Sequence, residues 1–327
     1  MSNLKLTICD TLPSASEMYA EIVKGLAGEQ KSISPKYFYD RSGSRLFDRI
    51  CGLPEYYATR TEINILESYA DEISTLIAED SLLIELGSGS SEKVRLLLDA
   101  LKPITYMPVD ISKDYLVSSA QDLAEDYPWL SVHAMCLDYT ASMDIQLEPE
   151  IETAKKVVFY PGSSIGNFTP EQTHSLLTNI NQLLGDGGVL LIGVDLKKEE
   201  NTLLAAYNDS QGITSQFNKN VLARINRELG ADFDIDNYSH QAFYNNEFGR
   251  IEMHLVSEAD QIVNMGDQRW AISEGESIHT ENSYKYTIEE FDRIARRAGF
   301  NRLQSWLDDQ QLFSVHCFTA IDNGGCQ

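Results

Sequence analysis

Gly87 and Gly89 stand between an apolar run, residues 82–86, and a helical pattern that takes over at Lys93. A strand, a tight glycine turn and a helix start in that order bring backbone N–H groups close to a ligand. Glycine has no Cβ to hold the ligand off, and the first turn of a helix carries unpaired donors that attract negative or polar groups. A second apolar run, 104–109, ends in Asp110. That is roughly 20 residues beyond the glycines, where nucleotide-binding α/β folds place a carboxylate for ribose hydroxyls. A dinucleotide site would show a third glycine, but Glu92 stands in its place and an acid, Glu85, precedes the first glycine. The combination favours S-adenosylmethionine, whose adenosine needs the ribose carboxylate and which has no pyrophosphate to cradle. The competing reading is an ordinary turn followed by a surface Asp, since a glycine motif by itself is a weak signal.

The elements that must position these residues alternate. Strands are predicted over 82–86, 104–109, 131–137, 156–160 and 188–195, with helices over 92–101, 115–126 and 170–184. Strands separated by helices imply right-handed crossovers and a mostly parallel sheet covered on both faces, with ligands at the carboxyl ends of the strands. Asp138-Tyr139 and Pro161-Gly162-Ser163-Ser164-Ile165-Gly166-Asn167 fall at such ends. An Asp followed by an aromatic there suits an adenine amine and its ring; the alternative is a loop cap.

After Asp195 the rhythm changes. Residues 197–227 read as two helices with a break near Gly212, and 250–256, 261–265, 269–272 and 278–287 read as strands without intervening helices, an antiparallel insert. Thr287-Ile288-Glu289-Glu290 is a capping box that opens a helix ending at Gly299, and strands 302–307 and 312–321 close the chain. A terminal hairpin after a helix is what a class I methyltransferase adds to a doubly wound sheet. Residues 1 to 62 read as helical, with an aromatic and polar centre around Tyr37, Tyr39, Tyr56 and Tyr57.

The chain has 327 residues, enough for one large or two moderate domains. Its formal net charge is -24, with the acids spread along the sequence, which argues against nucleic acid or an anionic membrane surface as partner. The N-terminal stretch has no basic region followed by a long apolar one, and the longest apolar run, 187–194, is too short to span a bilayer, so a cytoplasmic protein is expected. Cys9, Cys51, Cys136, Cys317 and Cys326 lack paired spacing and suit reduced thiols. His133 with Cys136, and His316 beside Cys317, fall on predicted strands without a further ligand cluster, and no metal is expected.

Several separate stretches then become specific together: Lys36-Tyr37-Phe38-Tyr39-Asp40, Leu53-Pro54-Glu55-Tyr56-Tyr57 with Thr59-Arg60-Thr61-Glu62, Glu85-Leu86-Gly87-Ser88-Gly89, Gly162 to Asn167, Phe217-Asn218-Lys219-Asn220-Val221-Leu222, and Arg250-Ile251-Glu252-Met253. In this order they resemble the L-histidine Nα-methyltransferases of ergothioneine biosynthesis, over nearly the whole chain. The resemblance implies an α/β fold, a class I (Rossmann-like) S-adenosylmethionine-dependent methyltransferase sheet with a second α+β substrate-binding domain. The cofactor domain is expected at 61–196 plus 286–327 and the substrate domain at 1–60 plus 197–285. The implied reaction is trimethylation of histidine to hercynine by three S-adenosylmethionine molecules, in a monomer.

Carried over by position, the resemblance implies that Tyr56, Asn167 and Tyr207 hold the amino-acid head group and that Glu281 and Ser283 bind the imidazole, with Met253 on the ring's apolar face. Residues two apart on a strand face the same side, so Glu281 and Ser283 can converge while Asn282, carried over in the same segment, points away. Gly87 and Lys93 are implied at the methionine end of the cofactor, Asp110 at the ribose, and Asp138 with Tyr139 at the adenine, with Ser88 and Gly162 also implied in cofactor binding. Tyr139 replaces a phenylalanine of some relatives, and Ala58 stands where relatives often have proline. Tyr39 and Tyr56 are the expected catalytic residues, accommodating the methylated cation through hydroxyl and ring-face contacts. The rival readings are methylation of another aromatic amino acid or tryptophan derivative, a ligand sensor without turnover, and a nicotinamide oxidoreductase.

Overall fold

The computed structural model describes residues 6–11, 14–77, 79–140, 143, 145 and 149–321. Two units are distinguished: Met1–Leu12 with Ala58–Lys197 and Lys285–Gln327, and Pro13–Tyr57 with Lys198–Tyr284. In chain order the strands are β1 (Leu6–Asp10), β2 (Lys31–Ser32), β3 (Leu82–Leu86), β4 (Thr105–Asp110), β5 (Ser131–Cys136), β6 (Lys156–Tyr160), β7 (Val189–Asp195), β8 (Tyr238–Asn245), β9 (Arg250–Ser257), β10 (Gln261–Met265), β11 (Gln268–Ile272), β12 (Ser277–Tyr284), β13 (Phe300–Leu307) and β14 (Phe313–Ala320).

The first unit holds an eight-stranded sheet in the order β1-β5-β4-β3-β6-β7-β14-β13. Strands β1 through β7 of this sheet pair in parallel, and β14 runs antiparallel to both β7 and β13. Every residue of β3, β4 and β7 is buried, which is why these strands read as continuous apolar runs instead of alternating ones. The chain leaves β3 for one side of the sheet, to β4, and later returns to its other side as β6. This is the switch point at which the connections diverge and the carboxyl ends stay open. The flanking helices start where the sequence provides caps. Thr169 accepts from the Gln172 backbone N–H with Pro170 in the first turn, and Thr287 forms the same box with Glu290.

One part of this unit departs from the sequence reading. Residues 6–10, expected in a helical region of the substrate domain, form β1 and extend the sheet edge alongside β5. Four of its five side chains are exposed, so no periodic signal marks it, and its partners lie more than a hundred residues away.

The second unit is built on a four-stranded sheet, β2-β12-β9-β8, with a separate β10-β11 hairpin. Pairing is antiparallel between β8 and β9 and between β9 and β12, and parallel between β12 and β2. Strand β8, Tyr-Ser-His-Gln-Ala-Phe-Tyr-Asn, is absent from the sequence reading because its alternation mixes polar residues on both faces. The strand expected to run to residue 287 stops at Tyr284.

Two helices pack against each other, Arg41–Cys51 and Ile213–Leu229, and the second covers β8 and β9. Asn218, fully buried, stitches the second of them to three strands. Its amide donates to the His254 carbonyl at 3.1 Å and meets His240 Nδ1 at 2.9 Å, and its carbonyl accepts from Thr280 Oγ1 at 2.7 Å. Asp40 caps the first helix through the Gly43 N–H (2.7 Å) and also takes the Asn220 amide (2.9 Å) and Arg227 (2.6 Å). The motif stretches 36–40 and 217–222 are thus largely a structural joint.

Gly43 sits so close to the preceding turn that a Cβ would lie 1.7 Å from the Phe38 carbonyl oxygen. Gly43→Ala is therefore expected to lower stability by about 2 kcal/mol or more through forced displacement of the joint. Urea unfolding followed by circular dichroism measures this, and an unchanged midpoint would show that the joint yields freely.

Candidate active site

In the first unit the predicted residues gather at the carboxyl ends of β3, β4, β5 and β6. The turn after β3 is held by the Val109 carbonyl, which accepts from Gly87 N at 2.8 Å and Ser88 N at 3.2 Å. Gly87 and Gly89 have φ of 69° and 50°, the region glycine tolerates, and Ser91 at 54° follows them into the helix Glu92–Leu101. Asp110, at the end of β4, accepts from the Gly89 N–H at 3.0 Å and the Ser112 N–H at 2.8 Å. Burial raises its pKa, against hydrogen bonds from Ser112, Gly89 and Ile111 that lower it. Asp138, past β5, accepts from the Thr140 N–H (3.0 Å) and hydroxyl (2.5 Å). The adjacent Tyr139 ring lies edge-on to Tyr160, centroids 5.8 Å apart, and its hydroxyl is 3.6 Å from where a Gly87 Cβ would stand. Burial raises the Tyr139 hydroxyl above its usual range, so it stays protonated. Asn167 closes the short turn Ser164–Asn167 beyond β6, half-buried.

Two acids there stand out by burial. Glu85 is on β3 with its carboxylate receiving the Tyr106 hydroxyl, and burial pushes its pKa up to about 8, with Tyr106 and Lys93 opposing and Asp110 and Glu62 adding. Glu62, in the helix Tyr57–Leu76, is wholly buried and accepts from Lys93 Nζ at 2.6 Å and from the Gly162 N–H at 3.0 and 2.9 Å. Glu62 closes the Thr59-Arg60-Thr61-Glu62 stretch, whose sequence alone assigned it no role. The available signal was Gly193, an isolated glycine inside the apolar run of β7, where glycine marks a close approach.

The predicted residues of the second unit also come together. Tyr39, Phe47, Tyr56, Tyr207 and Phe217 form a chain of edge-on and tilted rings with centroids 5.7–6.4 Å apart. Tyr207 donates to Ser283 Oγ at 2.7 Å, and His240 Nε2 lies 2.9 Å from the Tyr207 carbonyl. On β12, Glu281 pairs across the sheet with Met253 of β9, so carboxylate and thioether share one face. Both are buried. A bulge between His279 and Glu281 shifts the register there. Asn282 pairs with Glu252 instead, and the alternation turns it away from Glu281. Dehydration raises the Tyr56 hydroxyl well above its ordinary pKa, and the nearby Tyr207, Cys51, Tyr39 and Glu281 add to the shift.

Sequence reasoning passed over one cluster with metal-ligand character. Glu252, His254 and His279 bring ligand-type atoms within 4.8 Å of one another, and the Glu-x-His spacing on β9 was its signal. Their arrangement is that of a hydrogen-bonded stack. The His254 and His279 rings lie nearly parallel, 10° apart with centroids at 4.6 Å, so their in-plane lone pairs do not converge on one point. His254 meets Glu252 Oε2 at 3.0 Å and Ser277 Oγ at 3.2 Å, and His279 Nε2 meets the Glu281 carbonyl at 3.0 Å. The trio braces β12 from behind. His316 lies buried between Ser305 and Ser314, its pKa pushed down to about 3 by burial, and Cys136 and Cys317 are buried free thiols. Cys326 lies outside the described residues.

A doubly wound sheet with the β14-β13 hairpin, a glycine turn after β3 and an acid ending β4 define the class I, Rossmann-like methyltransferases that use S-adenosylmethionine as methyl donor. Residues 18–320 match the family model for histidine-specific, S-adenosylmethionine-dependent methyltransferases, and the chain belongs to that family. It is 38% identical over 308 residues to a histidine N-alpha-methyltransferase of Mycolicibacterium smegmatis, covering 92% of this chain and 94% of that one. Identity to the histidine N-alpha-methyltransferase of Mycobacterium tuberculosis is 39% over 302 residues, 90% of this chain and 92% of that one. A Neurospora crassa protein, ergothioneine biosynthesis protein 1, is 34% identical over 275 residues, 82% of this chain and 31% of its own length.

Burial makes Glu85 hold its proton more tightly in the folded state than in the unfolded one. A carboxyl that titrates at about 8 when folded and at its ordinary 4.5 when unfolded binds more protons in the native state between those values. Its contribution to stability is fully present below 4.5 and is lost as the pH rises through about 8. Glu85→Gln, which cannot ionise, is expected to flatten the fall in thermal midpoint across that window relative to the parent. Parallel slopes in the two proteins would show that Glu85 is ionised throughout.

Proposed function

We propose that this protein transfers methyl groups from S-adenosylmethionine to the α-amine of L-histidine, three in succession, to give hercynine in ergothioneine biosynthesis. The observation that carries the specificity is the pairing of Glu281 with Met253 on one buried face, with Ser283 two residues along and bonded to Tyr207. A carboxylate and a hydroxyl suit the N–H and nitrogen of a small ring, and a thioether suits its apolar face. Tyr56, Asn167 and Tyr207 hold the head group, with Asn167 on the carboxylate and Tyr207 joining it by turning its hydroxyl proton away from Ser283. Gly87, Ser88, Lys93 and Gly162 receive the methionine end of the donor, Asp110 the ribose, and Asp138 with Tyr139 the adenine.

In each turnover the nitrogen lone pair forms the new N–C bond as the C–S bond breaks, leaving S-adenosylhomocysteine. An α-ammonium with a pKa near 8 is deprotonated to roughly a tenth at pH 7, so alignment is the main requirement and little basicity is needed. The raised pKa of Tyr56 keeps it a neutral phenol. It therefore orients the amine, together with Tyr39, while the proton leaves to water. After the third transfer nitrogen has neither proton nor lone pair, and the reaction stops. The acidic balance and the small substrate fit a cytoplasmic monomer without nucleic-acid or membrane partners. Among the described residues no helix is long and apolar enough to cross a membrane.

Removing a charged hydrogen-bond partner from the imidazole typically weakens binding by about 1.5–3 kcal/mol, so Glu281→Ala is expected to raise the KM for histidine roughly 10- to 100-fold. The KM for S-adenosylmethionine should stay within about twofold, because the truncated side chain serves the other substrate. Steady-state kinetics with each substrate varied in turn measures both. An unchanged histidine KM would remove Glu281 from the imidazole site.

A further inference from the structure

We propose that Glu62 is the positioning residue of the methyl-donor site, a single buried carboxylate that fixes Lys93 and the Gly162 turn in the geometry that receives the methionine end. The inference rests on the reading that S-adenosylmethionine occupies the carboxyl ends of β3 and β6.

Three elements from distant parts of the sequence meet at this side chain. Lys93, in the first turn of the helix after the glycine loop, donates to Oε2 at 2.6 Å. The Gly162 N–H, past β6, donates to Oε1 at 3.0 Å and to Oε2 at 2.9 Å. Strand β7 makes room from below: a Cβ at Gly193 would lie 2.0 Å from Oε1. Gly162 itself has φ of 79°, and its Cβ position is 3.4 Å from Lys93 Nζ, so lysine and turn are close together as well as sharing the carboxylate.

A wholly buried carboxylate is costly to desolvate unless it is paired and hydrogen-bonded, and here both conditions are met by groups of the donor site itself. The ammonium of Lys93 is thereby held in one direction by an anion that cannot move. The turn at Gly162 is held by an acceptor that side-chain motion in water cannot replace. Glu62 reaches the donor only through these two partners, so its loss should weaken donor binding and leave histidine recognition alone.

The test is calorimetric titration of S-adenosylhomocysteine into the parent protein, Glu62→Gln, Lys93→Met and the double variant, with KM values for both substrates. Glu62→Gln is expected to weaken S-adenosylhomocysteine roughly 10-fold or more and to raise the KM for S-adenosylmethionine, with the KM for histidine unchanged. In the Lys93→Met background the same change should add little, because coupled partners are not additive. Gly193→Ala presses on the same carboxylate from β7 and should reproduce the donor defect, which keeps the proposal testable where Glu62→Gln does not fold. Parent protein that binds no S-adenosylhomocysteine would refute the donor-site reading itself. Parent protein that binds, with Glu62→Gln and Gly193→Ala binding equally well, would overturn the role of Glu62. A full additive loss in the double variant would overturn its action through Lys93.

Discussion

The constraint on which the first unit depends is the reversal of strand order beside β3. Parallel strands need crossovers, crossovers carry the chain to one face or the other, and where they diverge the carboxyl ends are left uncovered. The structure fills that opening with backbone donors and acids in place of apolar side chains. The Gly87–Gly89 turn is tied to the end of β4 by Val109, Asp110 is tied back to Gly89, and Glu62 joins the helix Glu92–Leu101 to the turn after β6. These bonds join the ends of β3, β4 and β6, so the cradle forms only with those strands assembled.

Burial of charge follows the same logic. Glu62 with Lys93, and Asp195 with Lys285 at 2.6 Å, are ion pairs with at least one member almost wholly removed from water. Such pairs are weak contributors to net stability, but removing one partner strands the other, which makes them strict about geometry. Asp195 also anchors the loop after β6, since its N–H donates to Ser163 Oγ at 2.9 Å. Glu85, with the Tyr106 phenol against it in place of a cation, meets the penalty in the other way, by a raised pKa.

Much of this was legible in the sequence because it depends on local pattern. Buried parallel strands are apolar runs, glycine turns and capping boxes are short-range, and Asp110, Asp138 and Tyr139 follow their strands directly. The antiparallel insert was legible for β9 through β12 by the same reasoning. What stayed hidden depends on distant partners. Strand β1 has exposed side chains and is a strand only because β5 offers it an edge. Strand β8 carries polar residues on both faces because His240 is engaged by Asn218 and Tyr207. Glu62 reads as a surface residue of a helix until Lys93, Gly162 and Gly193 are brought around it. Glu281 and Ser283, which the proposed function places at the imidazole, carried no local signal beyond their spacing, and the bulge at Thr280 that sets which face they share is a property of the paired strands.

The central claim is that one strand face, with Glu281, Ser283 and Met253, selects histidine for a methyl donor held at the switch point. It is tested most directly by incubating the purified protein with S-adenosylmethionine and equimolar histidine, tryptophan and tyrosine, and following all three by mass spectrometry over time. The account predicts that histidine alone gains one, two and finally three methyl groups, with no further gain. Unmodified histidine alongside methylation of another amine would contradict it.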